Sequence, residues 1–430
     1  MGFLRAASVL LPLLITPFLL VGYRRRGRAY SGLLALVILC FGGAALAIAA
    51  RNVIHPPEWD FQAFWLFGKA ATQGGDMYAP GALQRAATGL SFSGEFRREI
   101  VDGGLVYPPQ ALLLFAPFGQ LDLRHAALLW MLGVVGTLGV VIWLLWRTFL
   151  PDSGRTGLAF TAALTLACWP TLNTVSVAQT NFLLFAFLLL CWRQRDEMAG
   201  GAWLALAMSV KPLAGFLALY PLARGNWRAL VLCACVVLGL LGVSTVAFGW
   251  PTIAGYLASD PSSRLPAWSF DEPANQSLLA VILRTFGRRD PALSPLHHPL
   301  FIALAFAITG ITVWCIVRLR RGDGDLALAL TIPAALLVYP GTLKHYSVYL
   351  LAPMLMLVQR TTTGSSAIPT WVVVTLTAEC ALMWLDLGYL AILANGAMWF
   401  TLLYIAARHI QGRAAVHDAH SLLPVRPLPG

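Results

Sequence analysis

Charge is scarce in this sequence. Only 11% of the 430 residues are Asp, Glu, Lys or Arg, against about 25% in a soluble globular domain. With 58% of its residues hydrophobic, the chain is excluded from the soluble enzymes. It is expected to be an all-α polytopic membrane protein, with the bilayer as its main solvent. Lysine is scarcer still: of 30 basic residues only Lys69, Lys211 and Lys344 are lysines. Cysteine offers no scaffold. Cys40, Cys168, Cys191, Cys233, Cys235, Cys315 and Cys380 lie inside apolar stretches, odd in number and without metal-ligand spacing, so neither a disulfide framework nor a zinc site is expected. A phosphate-cradling glycine loop and a nucleophile–base motif are also missing.

What is present is a series of apolar spans, at about 6–22, 30–50, 126–146, 158–171, 180–192, 199–211, 212–223, 229–248, 298–317, 326–340, 346–359, 368–385 and 387–407. Several are shorter than the roughly 20 residues of a straight crossing. Short and Pro- or Gly-broken spans are tolerated where they line a cavity. The net charge of +11 is not a nucleic-acid footprint, because the arginines fall in short runs between spans: Arg24, Arg25, Arg26 and Arg28; Arg193 and Arg195; Arg224 and Arg228; Arg318, Arg320 and Arg321. That is the positive-inside pattern. It puts 51–106, 170–179, the neighbourhood of Lys211, 249–297, 341–345 and 386 outside. The stretch 107–120, with Pro108, Pro109 and Pro117, breaks the parity and is expected to be re-entrant or interfacial. The span 6–22 implies an outside N-terminus, or does not cross. Residues 1–410 are expected to form one integrated transmembrane domain, and 411–430 a disordered cytoplasmic tail. Aromatics from Phe61 to Ala71 predict an amphipathic helix lying in the interface, and Ala82–Ala87 a second.

On this topology the groups fit for chemistry gather on one face. Asp60 lies about ten residues past an apolar span, where an ionisable group is costly and tends to be functional; the plainer alternative is an N-cap for a helix starting at Phe61. Glu58 makes with it the one tight carboxylate pair of that face, and Gln62 stands two residues on. Lys211 is followed at once by Pro212, which breaks the helix and leaves backbone groups for a cavity or ligand to satisfy. A lysine there suits a lipid-linked phosphate, or snorkels to the interface. Lys344, His345 and Tyr346 open a later span, and the His suits a phosphate or sugar oxygen. Tyr107 heads the proline-rich stretch. Gln179 with Asn181, and Asn275 with Gln276, are either sugar-binding amides or packed and capping ones.

In order, these pieces resemble a known family. Asp60-Phe-Gln-Ala-Phe-Trp-Leu-Phe-Gly-Lys-Ala-Ala, Asp76-Met-Tyr78, Tyr107-Pro-Pro-Gln-Ala-Leu-Leu-Leu-Phe-Ala-Pro117-Phe, Ala178-Gln179-Thr-Asn181, Gly201-Ala-Trp-Leu-Ala-Leu-Ala-Met-Ser-Val-Lys211-Pro212, Asn226-Trp-Arg228-Ala, Asn275-Gln-Ser277-Leu and Lys344-His345-Tyr346 are similar to motifs of glycosyltransferase family 87, over about residues 30–360. The family often has Gly where Ala178 stands, and an acidic or polar residue where Lys344 stands. The resemblance implies a GT-C-type transmembrane helix bundle in the cell membrane, with interfacial helices in the first outer loop and its active site on the extracytoplasmic face. It implies an inverting enzyme that moves mannose, or else arabinofuranose, from a polyprenyl-phosphate donor to a glycolipid or glycan hydroxyl. Asp60 matches the family's proposed catalytic base. Lys211, His345 and Lys344 are the expected phosphate-binding groups, and Glu58, Gln62, Tyr107, Gln179, Asn181, Asn275, Gln276 and Tyr346 the expected substrate-binding ones. No cofactor is expected to be required, and the Glu58-x-Asp60 pair leaves a divalent metal ion open. The expected partners are the lipid-linked sugar, the acceptor and membrane lipid, with no nucleic acid. The alternative class is a lipid or glycolipid transporter, which also uses broken helices.

Overall fold

The computed structural model describes residues 13–23, 27–259, 268–287, 294–319, 322–362, 368–384 and 392–421. Regular structure among them is helical, with one isolated extended bridge between Asn275 and Leu343. Several sequence expectations fall outside the described residues: 6–12 of the first span, the arginines at 24–26 and 320–321, segments 260–267 and 288–293 of the second long loop, 385–391, and 422–430 of the tail.

Four helices are long and apolar enough to cross a membrane: Arg28–Ile54, Leu123–Phe149, Trp227–Phe248 and Pro299–Arg318. At 1.5 Å per residue the shortest of them, 20 residues, matches a hydrocarbon core of about 30 Å. Only 17% of the most apolar stretch of Trp227–Phe248 is buried, and 22% of that of Pro299–Arg318, so these helices turn most of their surface to lipid. The chain is an all-α, multi-pass membrane protein, as its composition predicts.

A fifth apolar stretch is a bent helix pair. The span expected over 158–171 is a pair, Gly154–Ala167 and Trp169–Ser176, bent by 65°. Pro170 explains the bend: in a continuous helix its ring would meet the carbonyl four residues back, and it has no N–H to donate. Cys168 is accordingly extended. A second proline acts in the same way. Ala199–Val210 stops at Lys211, which is extended (φ −144°, ψ 130°) because Pro212 disfavours helical backbone in the residue before it. The spans expected over 212–223 and 346–359 therefore differ from their sequence outline. Each opens with a 3₁₀ turn, Pro212–Ala218 or Lys344–Leu350. These run into the helices Leu219–Arg224 and Leu351–Thr362.

Three of the shorter apolar helices, Asn181–Arg193, Ala199–Val210 and Gly324–Val338, have 13, 12 and 15 residues. One end of each approaches the lysine-bearing turns. The other ends carry ion pairs. Trp192 donates to Asp325 at 2.7 Å, Arg195 pairs with Asp325 at 3.2 Å, and Arg224 pairs with Asp196 at 3.3 Å. The bundle thus has a charged end and an opposite end that holds Asp60.

At that opposite end the helix expected over Phe61–Ala71 is Ala63–Gln73, preceded by a wide turn at Glu58–Gln62 in which Gln62 N–H bonds the Pro57 carbonyl five residues back, at 3.1 Å. The second expected helix is Ala82–Ala86. The stretch expected to be re-entrant is an 11-residue helix, Pro109–Gly119, which packs along Ala63–Gln73. The two touch backbone to backbone: a Cβ at Gly68 would collide with the Phe115 carbonyl, and one at Gly119 with the Lys69 amide. Pro109 fits the first position of its helix, where its missing N–H has no bond to make. Leu393–Ser421 is one continuous helix, which takes in residues 411–421.

Gly68→Ala forces two main chains apart. It is expected to lower stability by about 1–3 kcal/mol, read as a lower thermal midpoint in detergent; an unchanged midpoint would count against the backbone contact.

Candidate active site

Two helix breaks and one strained residue build the site. Lys211 leaves its helix at Pro212, and its ammonium turns inward, with 2% of the residue exposed. It donates three hydrogen bonds: to Gln179 Oε1 at 2.8 Å, Asn181 Oδ1 at 3.0 Å and the Tyr346 hydroxyl at 3.0 Å. It also lies 4.1 Å from the centroid of the Tyr346 ring. Asn181 is held from behind: Tyr349 donates to its oxygen at 3.1 Å, and its own amide donates to Thr174 at 3.2 Å. Tyr346 and Tyr349 share a face because in a 3₁₀ turn residues three apart eclipse.

Gln179 is the bridge. Its Nε2 donates to Asp60 Oδ1, while its Oε1 receives Lys211. Asp60 remains half-buried. It does not cap a helix, since the one partner of its carboxylate among the described residues is the Gln179 side chain. Burial pushes the Asp60 carboxyl up to about 6, opposed by the Lys211 charge and the Gln179 hydrogen bond. Burial, with the Asp60 charge second, raises the nearby Tyr107 hydroxyl well above its ordinary value, so it stays protonated.

The aim of Gln179 comes from the residue before it. Ala178 has φ 56°, the one positive φ outside glycine among the described residues. That left-handed conformation costs an L-residue about 1–2 kcal/mol. Trp130 secures it, donating from its indole to the Ala178 carbonyl at 2.7 Å. Trp130 is itself wedged among Phe64, Phe115 and Phe118, at ring distances of 5.5, 6.0 and 5.0 Å. Asn52 caps the preceding helix by donating to the Val175 and Ser176 carbonyls at 2.9 and 3.0 Å.

The structure thus gathers Asp60, Tyr107, Gln179, Asn181, Lys211, His345 and Tyr346. His345 is buried, with no hydrogen-bond partner for Nε2 among the described residues, and its ring lies 4.8 Å from that of Tyr346. The other expected site residues are engaged elsewhere. Glu58 accepts from the Ser93 amide at 2.6 Å, and Gln62 donates to the Pro56 carbonyl at 2.9 Å. The Lys344 ammonium lies 5.9 Å from the Trp169 ring centroid, away from Lys211. Asn275 donates to the Ser269 and Pro340 carbonyls, and Gln276 accepts from Ser347 at 2.7 Å. These two are packed amides. They fasten the loop that presents Lys344 and His345, because Lys344 N bonds Ala274 O at 2.8 Å and Gln276 N bonds Thr342 O at 2.7 Å. Lys211 also departs from expectation: all three of its protons are spent on protein oxygens rather than left for a phosphate. Sequence reasoning missed Trp130, Thr174 and Tyr349. Only the three-residue spacing of Tyr346 and Tyr349 hints at the last of them. Among the described residues no three His, Cys, Asp or Glu side chains gather in a way that could hold a metal ion.

Comparison with known proteins now adds to the geometry. A family model for glycosyltransferase family 87 matches residues 105–343, more than half of the sequence. The chain belongs to glycosyltransferase family 87. It is a membrane glycosyltransferase, and the transporter alternative loses its footing. The matched segment contains Tyr107, Gln179, Asn181 and Lys211 but neither Asp60 nor His345, so their assignment rests on the structure. Among curated relatives, the alpha-(1->3)-arabinofuranosyltransferase of Mycobacterium tuberculosis is 34% identical over 38% of this chain, and the match spans only 37% of that protein's length. The polyprenol-phosphate-mannose-dependent alpha-(1-2)-phosphatidylinositol mannoside mannosyltransferase of the same organism is 24% identical over 75% of each chain. Its counterpart in Mycolicibacterium smegmatis is 26% identical over 69% of this chain and 68% of its own. No solved structure matches the chain.

Trp130→Phe keeps the ring packing but leaves the Ala178 carbonyl without its donor. Stability is expected to fall by about 1–3 kcal/mol, measured by unfolding in detergent; equal midpoints would show that the indole bond contributes nothing.

Proposed function

We propose that the chain is an inverting mannosyltransferase of the cell membrane. It uses a polyprenyl-phosphate mannose and passes the sugar to a glycolipid hydroxyl on the extracytoplasmic face. The observation that carries the reading is the half-buried Asp60 carboxylate, joined through Gln179 to a buried ammonium, beside a histidine nitrogen without a hydrogen-bond partner among the described residues. One group accepts a proton; the others suit a departing anion.

The reaction follows from those parts. The acceptor oxygen attacks the anomeric carbon, and its proton passes to Asp60, which acts as general base. The bond from that carbon to the phosphate oxygen breaks, and the lipid monophosphate leaves. His345 Nε2 and the positive field of Lys211 stabilise the departing negative charge, an effect that is strong in a site shielded from water. Mannose is favoured over arabinofuranose because the relatives whose names specify polyprenol-phosphate-mannose align over about two thirds or more of both chains. The arginine runs put the Asp60 end outside.

Purified protein in detergent, given radiolabelled polyprenyl-phosphate mannose and a phosphatidylinositol mannoside, is expected to form a product one mannose longer. The arabinofuranose donor tested in parallel is expected to give none, and the opposite outcome would reassign the sugar. Asp60→Asn is expected to lower kcat by about 10²–10⁴-fold with donor affinity nearly unchanged; wild-type turnover would remove Asp60 as the base.

The pH dependence has a definite sign. A base works only while ionised, and the Asp60 carboxyl is pushed up to about 6. The rate kcat/KM is therefore expected to be flat above that value and to fall about tenfold per pH unit below it. A profile with no acid limb between pH 5 and about 7 would contradict the assignment.

A further inference from the structure

We propose that Lys211 is a positioning residue: it holds the Gln179 amide in one orientation, and Gln179 in turn holds the Asp60 carboxylate toward the acceptor. The inference rests on the reading of Asp60 as the base, and it assigns Lys211 a role other than gripping the donor's phosphate.

A carboxylate only accepts hydrogen bonds, an ammonium only donates them, and an amide does one at each end. An amide set between the two has a single workable orientation: oxygen to Lys211 and nitrogen to Asp60. That is the arrangement found. Without the ammonium, the amide oxygen would keep only the Thr180 backbone N–H, at 3.2 Å, and would lose the charged donor that holds it toward Lys211.

Lys211 is also fully committed. Gln179, Asn181 and Tyr346 take its three protons. Asn181 and its supports Thr174 and Tyr349 are themselves buried. A phosphate reaching the ammonium would have to displace one of these bonds. Asp60 is the contrary case: Oδ1 is engaged by Gln179, and the second oxygen has no protein partner among the described residues. The bridge fixes one oxygen and leaves the other for a substrate proton. The left-handed Ala178 backbone and its Trp130 bond hold the amide at the height of both partners.

The test is the pH profile of kcat/KM together with the donor KM, measured on the full chain with polyprenyl-phosphate mannose. The groups that face Asp60 are Lys211, Tyr107, Tyr346 and the Gln179 amide, with His345 beside Lys211. Glu58 is turned to Ser93. Removing a neighbouring cation or a donated hydrogen bond raises a carboxyl pKa. Lys211→Met and Gln179→Leu are each expected to move the acid limb up by about one pH unit or more, with the donor KM within about threefold of wild type. Because the two act as one unit, the double variant is expected to shift the limb no further than the larger single shift. A donor KM raised tenfold in Lys211→Met with an unmoved limb would assign Lys211 to the phosphate and overturn the proposal, and so would additive shifts. If Lys211→Met does not fold, Gln179→Leu decides alone, since it leaves the ammonium in place: an unmoved limb in that variant overturns the proposal. Activity retained by Asp60→Asn would be a separate failure, of the base assignment itself.

Discussion

An ammonium group cannot be left bare where water is excluded. Moving a charge into a low-dielectric interior is prohibitive unless it is paired and every donor is used. Lys211 meets that demand with three oxygens drawn from two separate parts of the chain, the Gln179–Asn181 turn and Tyr346. The short helices begin and end where they do so that these oxygens converge. Asp60 supplies the compensating charge one amide away. Carboxylate, amide and ammonium form a neutral unit, and the loop bearing Asp60, the bent helix pair and the 3₁₀ turn at Lys344–Leu350 are all fastened to it.

Proline does much of the placing. Pro170 bends one span, and Pro212 turns Lys211 out of its helix. Pro109 starts the helix that backs the loop bearing Asp60. Each freed backbone or side-chain group then needs a partner, and membrane bundles tolerate such breaks only where protein or a cavity provides one. The aromatic wedge around Trp130 links this end together. Phe64 stacks on Phe115 at 4.8 Å, so Ala63–Gln73, the short helix Pro109–Gly119 and the long Leu123–Phe149 helix share one packed seam.

The helical class and the long spans were legible in the sequence because lipid imposes one rule on every residue of a crossing. The gathering of Asp60, Gln179, Lys211 and His345 was legible only by laying arginine runs against apolar spans. Three things were not. Amides that fasten a loop and amides that hold a buried charge have the same composition, so Asn275 and Gln276 could be told from Gln179 and Asn181 only by their partners. The 3₁₀ turns at 212 and 344 read as ordinary apolar helix, since hydrophobicity alone does not report the pitch. And Lys211 advertised a free cation, while its satisfaction depends on residues more than 30 positions away in sequence.

The backbone at Ala178 bears on how this family can drift. Glycine there relieves the steric penalty but widens the unfolded ensemble that must be narrowed on folding. Asparagine and aspartate also visit this conformation, whereas valine, isoleucine and threonine resist it. A branched side chain would rotate the peptide plane between 178 and 179, turning the carbonyl away from Trp130 and the following side chain away from both charges. The mutational latitude of one small, chemically silent residue is thus set by the two ionised groups it never touches.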